Sequence, residues 1–166
     1  AIREAVLLGK PLFERYVTVT GKTVKRPGNY KIRVGTRISD IISEIGGLSE
    51  MPAKVIMGGP MCGISLDSLE VPVIKATNGI LFLSRDEVKI QPIRPCIRCG
   101  RCVSVCPAGL IPCEIGTAAE ANRFDLVGEY QPFDCIMCGS CSYVCPSKRP
   151  LSHFIRLAQQ VSRSKK

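Results

Sequence analysis

Eight of the ten cysteines in this 166-residue chain fall into two copies of one motif. The first copy reads CIRCGRCVSVCP, from Cys96 to Pro107, and the second reads CIMCGSCSYVCP, from Cys135 to Pro146. Both follow the spacing C-x2-C-x2-C-x3-C-P. Cysteines this close in sequence are poorly placed to form disulfides with each other, whereas thiolates are good ligands for soft metal centres. The motif therefore predicts a metal site in a protein from a reducing compartment.

The spacing favours iron–sulfur clusters over zinc. Zinc sites usually pair one C-x2-C with a second, distant pair or with histidine. Here each copy adds a third cysteine after two further residues and then a Cys-Pro. The only histidine, His153, lies outside both motifs, and we expect it to have a surface or packing role. Three cysteines at this spacing can surround a [4Fe–4S] cluster because each thiolate binds a different iron.

The fourth cysteine of each copy is expected to bind the other cluster, as it does in two-cluster ferredoxins with this spacing. We name the two resulting groups the first and second cysteine sets. The first set is Cys96, Cys99, Cys102 and Cys145, and the second set is Cys135, Cys138, Cys141 and Cys106. Such an exchange would hold two one-electron carriers close together as a relay, which explains why the motif occurs twice.

Other residues inside the motifs also bear on this chemistry. Gly100 and Gly139 follow the second cysteine of each copy, where we expect the backbone to pass close to cluster sulfide. Arg98 and Arg101 occur in the first copy only. A nearby cation favours the more negative, reduced state of a cluster, so these arginines would raise the potential of the first cluster. The alternative is that both arginines face solvent.

The two cysteines outside the motifs are not expected to be ligands. Cys62 is predicted to be a buried structural thiol. Cys113 breaks the ligand spacing and is predicted to pack in the core, with some sensitivity to oxidation. The sequence also lacks a P-loop, a Rossmann glycine pattern and a Ser/His/Asp constellation. We therefore expect no nucleotide or substrate site in this chain itself.

Composition limits the remaining functional classes. The formal charge is +9, but two oxidised clusters with four thiolates each would lower the total to about +5. No basic run with interleaved aromatic residues suggests nucleic-acid binding. No apolar run reaches the ~18–20 residues that cross a bilayer, and the longest, AVLLG and GILFL, have the length of core segments. The chain begins without Met or a signal peptide, so we expect a longer polypeptide.

Residues 1–90 predict a small β-grasp-like domain. Alternating residues in RYVTVTG and YKIRVG, joined by a Pro-Gly-Asn turn, predict a hairpin. The stretch TRISDIISEIGG changes to helical spacing, with Thr36 as N-cap and Gly46 at the end. Further strands are predicted in KVIMGG, VPVIKA and GILFL.

Residues 91–166 predict a mainly helical, ferredoxin-like domain with two [4Fe–4S] clusters. One helix is predicted around Ile111 to Ala119, with Pro112 in its first turn. A second, short helix is predicted in ANRFDLVGEY, and a final helix begins near Leu151. The fold class predicted for the whole chain is therefore α+β.

The order of these pieces resembles the C subunit of the Rnf electron-transport complex over nearly the whole chain. The segments that carry the resemblance are GKPLFERYVTVTGKTVKRPGNYKIRVGT, GGLSEMPAKVIMGGPMCG, VPVIKATNGILFL, CIRCGRCVSVCPAGLIP and DCIMCGSCSYVCPSKRPLSHFIRLA. The eight motif cysteines match the cluster ligands of that family. The resemblance implies a soluble-ligand-binding β-grasp (SLBB) domain followed by a dicluster ferredoxin domain.

The resemblance also implies a function. The family exchanges electrons between ferredoxin and NAD and couples this exchange to Na⁺ or H⁺ movement. Its C subunit is peripheral on the cytoplasmic face of the cell membrane and works with other subunits of the complex. In that family, FMN and NAD bind an upstream domain that this chain does not match, so we expect a shortened chain or a split subunit that does not itself oxidise NADH. A smaller departure is Cys62, where the family is expected to carry Met.

Two rival functions fit the same residues. One is the related cobalamin-reductase subunit, which also joins a β-grasp domain to two clusters. The other is a binding module, in which the β-grasp domain recognises a soluble ligand and the clusters are structural or sensory.

Overall fold

The computed structural model describes residues 1–89 and 91–164. The chain divides into two compact units, Ala1–Lys89 and Ile90–Lys166. The first unit contains a five-stranded sheet, and the described secondary structure of the second unit is helical. The fold class is α+β, as predicted. Ile90, Lys165 and Lys166, which fall within the predicted domain ranges, lie outside the described residues.

The first unit is organised by a mixed sheet in the order β2-β1-β5-β3-β4. Its strands are β1 (Glu14–Thr20), β2 (Gly28–Arg33), β3 (Lys54–Met57), β4 (Ile64–Leu66) and β5 (Gly79–Leu83). Strand β1 pairs antiparallel with β2, which confirms the predicted hairpin, and parallel with β5. The first and last strands are therefore neighbours at the centre of the sheet, as in the predicted β-grasp domain.

One helix supplies the apolar face that packs in the core with this sheet. Two helices occur in the unit, α1 (Ile2–Leu8) and α2 (Ile38–Glu44). The isoleucines predicted to share one helical face are all buried, in a core formed by Val17, Val19, Val24, Ile32, Ile38, Ile41, Ile42, Ile45, Val55, Val73, Ile80 and Phe82. The predicted N-cap was wrong: Arg37 precedes the helix, and it pairs with Asp40 instead of capping a backbone N–H.

One strand prediction was wrong and one strand was missed, each for an identifiable reason. VPVIKA is not a strand, because Val73 bonds with Gly35 and Thr36, which precede α2, instead of joining the sheet. Strand β4 was missed, since its three residues are too few to show an alternating pattern and it pairs only with β3 at the sheet edge.

The two longest apolar runs, AVLLG and GILFL, differ in secondary structure and in burial. GILFL forms β5, whose Ile80 and Phe82 are buried. AVLLG forms the second half of α1 and the glycine that follows it. Val6 and Leu8 in this run are 76% and 73% exposed. AVLLG therefore has the length of a core segment without being one, and α1 has no buried residue in the structure.

The second unit consists of short helices around one core. They are α3 (Arg101–Ser104), α4 (Pro112–Glu120), α5 (Phe124–Val127), α6 (Ser140–Tyr143) and α7 (Leu151–Ser164), with 3-10 turns at Gly128–Tyr130 and Pro132–Asp134. The predicted helices after Ile111, within ANRFDLVGEY and from Leu151 are confirmed. Helix α4 approaches α7 so closely that a Cβ on Gly116 would lie 2.8 Å from the Leu151 side chain.

Gly21, after β1, provides a direct test of the β-grasp packing. Its φ is +132°, and a Cβ built on it would collide with the backbone carbonyl of Phe82 in β5. Gly21→Ala is expected to destabilise the first unit by about 3 kcal/mol or more. The measurement is native-state hydrogen exchange of the β1 and β5 amides, which reports on this unit alone.

Gly28→Ala is the matched control. Gly28 begins β2, and the nearest atom to its added Cβ would be the Tyr30 hydroxyl at 3.5 Å, an ordinary contact. We expect protection close to that of the unaltered protein. Equal loss of protection in both variants would show that the close approach of Gly21 to β5 is not a constraint on the sheet.

Candidate metal centres

The two cysteine motifs fold into the same local structure. Each is a loop followed by one turn of helix, α3 in the first copy and α6 in the second. The backbone N–H of Arg98 donates to Cys96 Sγ, and that of Met137 donates to Cys135 Sγ, both at 3.4 Å. Arg98 and Met137 share a left-handed backbone, with φ of 52° and 56°. The repeated sequence therefore gives a repeated arrangement around the first cysteine.

The motif glycines have a conformational role. Gly100 and Gly139 immediately precede α3 and α6 with φ of +74° and +79°. Such angles are readily adopted by glycine and disfavoured for residues with a side chain. A Cβ on Gly100 would meet no atom within 4 Å. The positive φ of Gly100, and not a lack of space, is therefore the reason that glycine is favoured at this position.

The first cysteine set surrounds one pocket. The pocket, here called the first-set pocket, has a cavity volume of about 20 Å³. It is lined by Cys96, Ile97, Arg98, Cys99, Gly100, Cys102, Cys113, Cys145, Pro146, Ser147, Arg149 and Leu151. Cys145 comes from the second motif and the other three members of the set come from the first. Among the described residues, the lining of this pocket holds no carboxylate, whereas Cys96, Arg98 and Arg149 also line a second pocket that contains Glu114 and Glu120.

The members of the second cysteine set are also neighbours. The Cys135 thiol interacts electrostatically with those of Cys106 and Cys138, and the Cys141 thiol interacts with those of Cys135 and Cys138. Cys106, from the first motif, thus lies beside cysteines of the second. Its Sγ also accepts a hydrogen bond from the Leu110 backbone N–H at 3.3 Å.

This donor chemistry fits a cluster in each set. Within residues 1–89 and 91–164, no group of three His, Cys, Asp or Glu side chains is placed to hold one metal ion. Ligands of a [4Fe–4S] cluster need not meet at one point, because each thiolate binds a separate iron. Four cysteines around an apolar pocket, with backbone N–H donors to sulfur, form a suitable environment for that cofactor.

Burial controls the acidity of the thiols. It raises the pKa of Cys102 to about 11, with an added contribution from neighbouring Cys113. Burial also raises the pKa values of Cys135 and Cys141, whereas a hydrogen bond with the Ser140 side chain lowers that of Cys138. Buried thiols with a raised pKa keep their protons at neutral pH until a metal displaces them.

Cys113 lies closer to the first cysteine set than its position in the sequence suggested. It is the second residue of α4, packs against the core as predicted, and also lines the first-set pocket. Its thiol lies beside that of Cys102 and contributes to the raised pKa of Cys102. Spacing alone could not indicate this, because the contact depends on how α4 packs against α3.

Arg149 is the buried cation of the first-set pocket. Its side chain is 5% exposed, and its Nη2 donates to Glu120 Oε2 at 2.6 Å. Its guanidinium also lies over the Phe154 ring, 5.8 Å from the centroid, while its buried Nε has no hydrogen-bond partner. A buried donor without a partner costs about 1–3 kcal/mol. No motif in the sequence marked this residue, although aligning the two cysteine motifs places Arg149 opposite Leu110.

The other candidate residues lie at the surface. Cys62 is exposed in the turn after β3, so the prediction of a buried thiol was wrong: a turn that projects from the sheet edge offers little core. His153 is exposed, in agreement with the predicted surface role. Arg98 and Arg101 are exposed as well, although Arg98 also lines the first-set pocket.

Family comparisons match each unit to a known class of domain. Residues 16–65 match the SLBB domain family, and residues 95–148 match the 4Fe-4S dicluster domain family. The chain therefore combines an SLBB domain with a dicluster domain, and the predicted cofactors, two [4Fe–4S] clusters, are those of the second family.

Curated relatives align over most of this chain. The chain is 45% identical over 159 residues to the C subunit of the Na(+)-translocating ferredoxin:NAD(+) oxidoreductase complex of Acetobacterium woodii, covering 96% of this chain and 36% of the relative. It is 41% identical over 165 residues to the proton-translocating counterpart of Clostridium ljungdahlii, covering 99% and 36%. It is 44% identical over 125 residues to the C subunit of the ion-translocating oxidoreductase complex of Rhodobacter capsulatus, covering 75% and 24%.

These matches confirm the resemblance to the C subunit of the Rnf complex over the SLBB and dicluster domains. The chain spans about a quarter to a third of the length of these relatives. None of the helices formed by the described residues has both the length and the apolar character needed to span a membrane.

The crossed arrangement of the cysteine sets predicts a specific labelling pattern. Cys145→Ser removes a member of the first set, so Cys99 should become at least about tenfold more reactive toward iodoacetamide while Cys138 stays protected. Cys106→Ser should have the opposite effect, exposing Cys138 and leaving Cys99 protected. The measurement is anaerobic alkylation of iron-loaded protein, read by peptide mass spectrometry.

Cys113→Ser is the matched control, because it removes a thiol from the first-set pocket without removing a member of either set. Both reporters should stay protected in this variant. Exposure of Cys138 in Cys145→Ser, with Cys99 still protected, would contradict the exchange and show that each motif binds its own cluster.

Proposed function

We propose that this chain is the electron-relay segment of an ion-translocating ferredoxin:NAD oxidoreductase complex. Single electrons pass through two [4Fe–4S] clusters between a flavin/NAD site outside this segment and the ferredoxin side of the complex. The observation that carries the proposal is that Cys145 lines one pocket with Cys96, Cys99 and Cys102, while Cys106 lies beside Cys135. Such an arrangement fixes two one-electron centres as neighbours, which a relay requires and a single structural site does not.

In this proposal, Cys96, Cys99, Cys102 and Cys145 hold one cluster, and Cys135, Cys138, Cys141 and Cys106 hold the other. When bound, the clusters supply reversible one-electron transfer. The chain supplies the thiolates, the apolar shielding and the N–H donors of Arg98, Met137 and Leu110 to sulfur. These contacts stabilise negative charge on sulfur and hold the ligands in place.

The proposed partners are the other subunits of the membrane complex. The names of two relatives describe subunits of ferredoxin:NAD(+) oxidoreductase complexes, one that translocates Na(+) and one that translocates protons. We place this segment on the cytoplasmic face of the cell membrane, attached through its partners. Eight of the ten cysteines lie in two closely spaced motifs, a pattern consistent with a reducing compartment.

The SLBB domain is proposed to dock the relay onto its neighbours. Its five-stranded sheet forms a core separate from that of the second unit, so it can serve as a rigid attachment body. The names of the relatives described here favour this function over a cobalamin reductase, since all three are subunits of ion-translocating complexes.

The proposal is tested in the complete membrane complex with Cys102→Ser. Cys102 is a buried member of the first cysteine set, so its loss should remove that cluster and interrupt the relay. We expect ferredoxin-dependent NAD reduction by isolated membranes to fall at least about a hundredfold. Subunit levels, followed by immunoblotting, should show that the complex is still assembled.

Cys113→Ser serves as the control for disturbance of the pocket and should keep most of the rate. An assembled Cys102→Ser complex that retains the normal rate, with the iron of that cluster shown to be lost, would refute the relay function.

A further inference from the structure

Arg149 places a buried positive charge in the wall of the first-set pocket. The residue lies four positions after Cys145 and just before α7, and Cys96, Cys99, Cys102 and Cys145 line the same pocket. Only 5% of its side chain is exposed, so solvent screens its charge far less than that of Arg98, the exposed arginine in the same lining.

A purely structural role accounts for only part of this arrangement. The ion pair with Glu120 ties Arg149, two residues before α7, to the end of α4, and the Phe154 ring packs against the guanidinium. Glu120 is 46% exposed, however, so water weakens its neutralising effect. Neither contact satisfies the buried Nε–H of Arg149. A guanidinium with a spare donor, in a pocket of thiols, is suited to interact with negative charge on sulfur.

The second motif copy has no equivalent charge at the corresponding position. Counting from the fourth cysteine of each copy, Arg149 after Cys145 corresponds to Leu110 after Cys106. Leu110 is 6% exposed and lies in the apolar core. The two sites therefore share a backbone design but differ at one buried position, where one has a cation and the other an aliphatic side chain.

We propose that Arg149 raises the reduction potential of the cluster held by the first cysteine set above that of the cluster held by the second. Reduction adds one electron and neither forms nor breaks a bond, so the cluster with its thiolates passes from charge −2 to −3. A buried cation stabilises the more negative state more strongly. An electron that enters this pair of clusters therefore resides mainly on the cluster held by the first cysteine set. The cluster held by the second set has the lower reduction potential. This inference rests on the proposed function.

The test is a redox titration of the iron-loaded chain, with each cluster followed by electron paramagnetic resonance. Arg149→Met should lower the potential of one cluster only, changing its reduced-to-oxidised ratio at fixed potential by about tenfold, or about 59 mV for a one-electron couple. Arg149→Lys keeps the charge and should shift the same cluster less. Glu120→Gln removes the neutralising anion and should raise the potential of that cluster. The other cluster should not change in any variant.

Iron content separates failure of this inference from failure of the proposed function. If the unaltered chain binds fewer than about eight irons or shows one couple, the relay itself is wrong and the inference falls with it. With both couples present, unchanged potentials in Arg149→Met would refute the role of Arg149. Equal shifts in Arg149→Lys and Arg149→Met would also refute it, because charge would not be the cause. If Arg149→Met fails to load iron, the absence of an upward shift in Glu120→Gln refutes it.

Discussion

Thiols occupy the centre of the second unit, and the rest of that unit is arranged around them. Cys102, Cys141 and Cys145 are buried in the same core as aliphatic residues of α4 and α7. A domain this small has little apolar surface to bury, and small domains often rely on metal sites for stability. In the proposed arrangement, each cluster would join the two motifs, so cluster binding and folding would be one process. The short helices α3 and α6 then need little stability of their own.

The same core shows how one repeated sequence can hold two unlike sites. The motif copies agree in the positive φ of the residue before the second cysteine and in the N–H donor to the first. They differ four residues beyond the last cysteine. The second copy is followed there by the buried Arg149, whose partner Glu120 is partly exposed, and the first copy is followed by Leu110. The shared backbone geometry would position both clusters, while the Arg149 side chain would determine which cluster has the higher reduction potential. The β-grasp unit has its own isoleucine-rich core and does not depend on this chemistry.

Local patterns predicted much of the fold and of the candidate site. The hairpin and the isoleucine face of α2 follow from spacing, which is a property of neighbouring residues. Spacing also marks the eight motif cysteines, whose grouping into two ligand sets stays a prediction. The strand prediction for VPVIKA was wrong because an extended, apolar segment can form its backbone hydrogen bonds with a loop instead of a sheet. Val73 does so. The burial of Arg149 and the contact between Cys113 and Cys102 depend on how α4 packs against its neighbours. Such packing brings together residues far apart in the sequence, so no local pattern could reveal it.

The central claim is that two reducible clusters lie side by side in one unit, and their magnetic interaction tests it most directly. The measurement is electron paramagnetic resonance of the anaerobic, iron-loaded chain, first after partial and then after full reduction. Two neighbouring clusters should give a simple signal at partial reduction and a broadened, split signal once both are reduced. Two signals that simply add without broadening, a single cluster signal, or bound zinc in place of iron would contradict the account.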